Sequence, residues 1–174
     1  TTDDQQALWE AIADGTLSLV TSDHAPYRMD ASGKFANGRD APFNKIANGM
    51  PGLETRLPLM FNAMITQGRG GPEAFARVTA TAPAQAFGLL NKGAIAPGFD
   101  ADIAIWNPDL SHTYGANDLK DNVGYNPFEG TTVTGIPVTV LSRGQKIVRD
   151  RVLHSLPGHG AWQPMTWQGN RRDT

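Results

Sequence analysis

Thr16-Leu17-Ser18-Leu19-Val20-Thr21-Ser22 runs into Asp23-His24-Ala25-Pro26, and the reading of this stretch decides the fold. A short apolar run bounded by Gly15 and a proline predicts a buried strand. Pro26 has no N–H to continue a ladder, so Asp23 and His24 are expected at the strand's carboxyl end. Upstream, residues 2–14 predict a helix. Thr2 and Gln5 have capping-box spacing, and Asp3 and Asp4 sit where the helix dipole is positive. Leu8, Ala11 and Ile12 fall on one face, with Gly15 as the C-terminal stop. A helix, a glycine turn and a buried strand are half of an α/β unit, which makes the fold class α/β.

Downstream, residues 27–52 hold Gly33, Gly38, Pro42, Gly49, Pro51 and Gly52 without a sustained period. A loop of that length in a compact protein is functional or disordered. Leu53, Leu57, Met60, Phe61 and Met64 then predict a helix over 53–67, kinked by Pro58. A second helix is expected over 72–81, opened by Pro72, and a separate helical turn over 83–89. After Gly93 the period changes. Residues 102–106, 133–141 and 146–148 read as strands, the last two joined through a turn at Arg143-Gly144-Gln145. Residues 1–90 are thus α/β, residues 91–160 are β-rich, and the tail 161–174 has no period.

Composition narrows the function. The 174 residues carry a formal charge of −2, with a pI near 6.0. That balance disfavours a nucleic-acid partner and an anionic membrane surface. With no cysteine there is no disulfide framework, thiolate metal site or cysteine nucleophile. The lack of cysteine fits a reducing, cytoplasmic setting. No apolar run approaches the roughly 20 residues of a membrane span. The start, Thr1-Thr2-Asp3-Asp4, lacks both an initiator Met and the pattern of a signal peptide, so the chain is expected to begin inside a longer protein.

Two places invite chemistry. A carboxylate at the end of a buried strand, Asp23, is where α/β barrels put catalysis; it is equally a cap for the following turn. Asn48-Gly49-Met50-Pro51-Gly52-Leu53-Glu54 has glycines that let backbone approach a ligand closely; it is equally an ordinary loop before a helix. Glu54 and Arg56 suit ion pairs and helix-start contacts. His112, His154 and His159 show no metal-pair spacing and read as surface residues. Trp106, Tyr114 and Tyr125 read as sheet packing. There is no phosphate-binding glycine loop, dinucleotide fingerprint or Gly-x-Ser-x-Gly elbow.

Taken in order, Thr21 to Pro26 and Asn48 to Leu59 resemble the last barrel segment of the cyclic amidohydrolases. Lys92 to Trp106 is similar to that superfamily's return from barrel to β-sandwich. Asn122 to Gly130 and Gly135 to Gly144 resemble dihydropyrimidinases and D-hydantoinases in particular. The resemblance runs to about Gly160 and covers only the C-terminal portion of such a protein. It implies the C-terminal part of a (β/α)8 barrel (residues 1–90) followed by a small β-sandwich portion (91–160). A complete barrel takes about 250 residues, so seven of its strands would be absent.

The resemblance further implies hydrolysis of a cyclic amide or imide, a dihydropyrimidine or 5-substituted hydantoin, to an N-carbamoyl amino acid. It implies two divalent metal ions, usually zinc, with Asp23 as both a metal ligand and the catalytic base. Two cations lower the pKa of bound water and polarise the amide, and a carboxylate in reach accepts the proton. The main chain of Asn48 would bind the imide edge of the substrate. The family's His-x-His pair, carboxylated lysine and further histidines all precede its strand-8 aspartate. Here His24 and Lys34 are the first of their kinds. The isolated chain is therefore expected to be inactive, and a homo-oligomer, a tetramer by resemblance, is expected of the parent. A non-catalytic scaffold or assembly fragment is the alternative, and a split enzyme a third reading.

Overall fold

The computed structural model describes residues 1–155 and 157–166; the expected tail beyond 166 lies outside the described residues. Helix α1 (Thr2–Ala13) begins where expected, but its capping box lies one residue earlier than the spacing predicts. The capping box is Thr1 with Asp4: the Thr1 hydroxyl accepts from Asp4 N–H at 3.2 Å, and the Asp4 carboxylate takes the Thr1 ammonium at 2.7 Å. Asp14 is the C-cap and Gly15 follows at φ +86, the left-handed stop that only glycine takes freely. Arg77 closes the helix end by donating to Ile12 O at 3.2 Å. The buried face differs from expectation. Leu8 stays 55% exposed, while Trp9 and Ile12 pack with Met64 and Val78.

The predicted strand 16–22 is not one. Its backbone is held singly, Leu17 N–H to Ala11 O at 2.8 Å and Val20 N–H to Val78 O at 2.9 Å. A strand is defined by a paired neighbour, and none of the described residues runs alongside this segment as a ladder. Asp23 and His24 therefore follow an extended segment with no ladder.

Helix α2 (Leu53–Phe61) carries through Pro58 and widens into a π turn over Asn62–Thr66. The next two expected helical pieces are one continuous run. Helix α3 (Gly71–Ala76) passes through a π turn (Arg77–Thr81) into α4 (Ala82–Ala86). Pro83 does not separate them, because it sits in the first turn of α4, where a missing N–H is tolerated.

The rest is a four-stranded antiparallel sheet in chain order: β1 (Ile103–Thr113), β2 (Thr132–Ser142), β3 (Gln145–Arg149) and β4 (Val152–Leu153). β4 was not anticipated. Arg143 at φ 46 and Gly144 at φ +79 form the two-residue turn between β2 and β3, whose paired left-handed residues match strand twist. Only one sheet is seen among the described residues, so the second layer of a sandwich is not among them.

Helices and sheet meet through aromatic rings. Phe61 stacks on Trp106 at 4.4 Å and 11°, and Phe75 meets both edge-on at 5.6 Å. Asn62 Oδ1 accepts from Thr134 N–H at 3.0 Å, and the Thr66 hydroxyl donates to Thr134 O at 2.9 Å. These bonds bring Gly135, at φ +98, against Phe61, where a Cβ would lie 2.0 Å from the ring. Lys92 bridges Asp100 and Asp102, and Asp102 also accepts from Arg143 N–H at 2.7 Å. Burial works to raise the Asp102 carboxyl, but these hydrogen bonds outweigh it and hold it below the ordinary carboxylate range. Gly135→Ala combines a left-handed backbone with a clash, so chemical denaturation should show a loss of about 3 kcal/mol.

Candidate functional site

Asp23 lies in the left-handed region at φ 44, a conformation costing a non-glycine residue about 1–2 kcal/mol and tolerated best by Asn and Asp. Its neighbours hold it there. The Nδ1 atom of His24 accepts from the backbone N–H of Gly52 at 3.1 Å and of Leu53 at 3.2 Å. Those are unsatisfied donors at the start of α2, where Gly52 has no side chain to cap them. Ala25 N–H donates to Met50 O at 3.2 Å. The segment after Asp23 is thus fastened at three points to the loop before α2.

Glycine makes that fastening possible. Gly49 has φ +98, and a Cβ there would fall 2.4 Å from the Ala25 Cβ. Pro51 and Thr55 are fully buried beneath the loop. Lys34 holds the loop from its other side, donating from Nζ to Ala47 O at 2.9 Å and to Gly49 O at 2.7 Å. Lys34 is itself placed by its N–H on Arg28 O at 2.8 Å, and Arg28 reaches across to Asn122 O at 2.7 Å. Asp23 and Asn48, the two sequence candidates, thus sit on neighbouring fastened segments, and both are exposed.

Beside them is a cavity of about 230 Å³, bordered by Ser22, Gly52, Thr55, Arg56 and Phe128. Arg56 donates to Val20 O at 2.7 Å, and its buried Nε meets no acceptor among the described residues. Burial pulls its guanidinium below the usual value. A larger cavity of about 700 Å³ lies away from this site, between the helices and β1, against Phe75, Ile95 and Trp106. Its lining is mostly apolar.

Among the described residues no three His, Asp or Glu side chains gather closely enough to hold an ion. Asp23 offers one carboxylate, and the Nδ1 of the adjacent His24 is occupied by two amides. The described residues do not by themselves gather a two-metal centre. His112 departs from its expected surface role: it is half-buried, bonded through Nε2 to Asp118 at 2.8 Å and edge-on to Tyr114. Burial, with Glu54 adding to it, pushes the Tyr114 hydroxyl up to about 12. Sequence reasoning missed His24 as a cap and Lys34 as a clamp. Their contacts span 28 and 13–15 residues, and neither leaves a local pattern.

Residues 1–147 match the profile described as Amidohydrolase family. The chain belongs to the amidohydrolase family. It is 37% identical over 161 residues to the D-hydantoinase of Streptomyces coelicolor, covering 92% of this chain and 34% of that one. A D-phenylhydantoinase of Escherichia coli is likewise 37% identical, over 90% of this chain and 34% of its own. Among solved structures, D-hydantoinase from a Thermus species aligns with a TM-score of 0.84 at 34% identity, over 90% of this chain and 34% of that one. Dihydropyrimidinase from Brevibacillus agri aligns at 0.79 and 39%, over 86% and 32%. This amidohydrolase chain therefore spans about a third of the length of the relatives it matches.

Two measurements check the site. His24→Ala should speed hydrogen exchange at the Gly52 and Leu53 amides and cost about 1 kcal/mol, as loss of a helix cap does. The 174-residue chain, dialysed against zinc and washed, should retain less than one ion per chain by elemental analysis.

Proposed function

We propose that this chain is the C-terminal portion of a hydantoinase- or dihydropyrimidinase-type hydrolase, which opens a cyclic amide or imide ring to an N-carbamoyl amino acid. The observation that carries this reading is the fastening of the Asp23 segment to the Asn48 loop. A carboxylate kept in a costly backbone conformation, beside a loop of freely presented peptide groups, suits a proton acceptor next to a ring-binding edge. The match to hydantoinases over nine-tenths of the chain supports it.

In this reading Asp23 takes the proton of the attacking water and returns it to the ring nitrogen as the C–N bond breaks. The Asn48 main chain supplies an N–H donor and a C=O acceptor, matching the alternating acceptor and donor of an imide edge. Recognition by backbone ignores the ring's substituent, so selectivity for that substituent falls to residues elsewhere. Divalent ions, zinc by resemblance, would take their remaining ligands from outside these 174 residues, and Asp23 would be one ligand among them. A homo-oligomeric, cytoplasmic parent is part of the same proposal.

In the protein that carries this chain with its metal sites complete, Asp23→Asn should lower turnover of hydantoin and 5,6-dihydrouracil by about a thousandfold while the fold is retained by circular dichroism. Near-normal turnover would remove Asp23 from the mechanism. The 174-residue chain alone, supplied with zinc, should hydrolyse neither compound above background.

A further inference from the structure

Lys34 is half-buried, and among the described residues its ammonium pairs with no carboxylate. It donates instead to two main-chain carbonyls, Ala47 O at 2.9 Å and Gly49 O at 2.7 Å. The first belongs to the peptide unit that precedes Asn48, the second to the unit just beyond the Asn48–Gly49 peptide. The Ala47 carbonyl shares its peptide with the Asn48 N–H, and the Gly49 carbonyl shares its peptide with the Met50 N–H. A cation bonded to a peptide oxygen draws electron density from the same unit's nitrogen and makes its N–H a stronger donor.

We propose that Lys34 is a positioning residue for substrate: it holds the Asn48 backbone in place and polarises the Asn48 N–H toward an acceptor oxygen of the ring. This rests on the reading of Asn48 as the ring-binding edge. Among the described residues no other group donates to both the Ala47 and the Gly49 carbonyls. The opposite side is secured independently, by Ala25 N–H on Met50 O and by His24 on Gly52 and Leu53. Removing the lysine therefore loosens and depolarises the Asn48 peptide while the start of α2 and the Asp23 turn stay fastened. The expected signature is weakened ground-state and transition-state binding together, a rise in KM with kcat little changed.

The test is steady-state kinetics in the complete, metal-loaded protein that carries this chain, with hydantoin and 5,6-dihydrouracil as probes. Lys34→Met should raise KM about tenfold for both, with kcat within about threefold of the parent. Lys34→Arg, which restores a cation and two donors, should bring KM most of the way back. If Lys34→Met does not fold, Lys34→Gln is measured in its place against the same thresholds. In the 174-residue chain, the Asn48 amide proton should move upfield by NMR when Lys34 becomes Met. An unchanged KM, or a fall in kcat at constant KM, overturns the role of Lys34. If Asp23→Asn is inactive in the same assay, the reading of the site survives that result. Full turnover by Asp23→Asn would instead overturn the site reading itself.

Discussion

The Nδ1 atom of His24 accepts from two successive amides at the head of α2, and the geometry of the candidate site depends on that acceptance. A helix start leaves N–H groups without partners, and a glycine at the cap position cannot supply one. By filling that need from 28 residues upstream, the imidazole ties the turn bearing Asp23 to the loop bearing Asn48. The Ala25 to Met50 bond extends the seam by one more contact. Without these bonds, the left-handed conformation of Asp23 would have little to hold it.

The helical half and the sheet are joined by a second, apolar constraint. Phe61 lies flat on Trp106 with Phe75 against both rings, and Gly135 leaves room for the ring to sit on β2. The polar bonds from Asn62 and Thr66 to Thr134 satisfy backbone groups at the same contact. Because α2 carries Phe61 at one end and receives His24 at the other, the sheet and the site share one rigid element.

Much of this was readable from residue order. The first helix, the helix starting at Leu53, the long irregular loop and the first three strands all follow from period and from glycine and proline placement. The motif order also led to the right family. What was not readable depends on partners distant in sequence. Residues 16–22 have strand composition, yet a strand exists only with a neighbour. Pro83 looks like a break, but whether it breaks depends on where the turn before it has left the donors. His112 reads as a surface residue until Asp118 and Tyr114 fold against it. The candidate residues Asp23 and Asn48 were visible as motif positions; the His24 and Lys34 contacts that set their surroundings were not.

The contact between Gly49 and Ala25 sets a limit on volume at position 49. A methyl at 49 would lie 2.4 Å from the methyl at 25, so position 49 cannot grow while Ala25 keeps its place. A side chain at 49 would also meet the Ala25 carbonyl oxygen at 2.9 Å, so trimming residue 25 would not make room for it. Enlarging position 49 would therefore move the backbone beside Asn48 before it touched anything else.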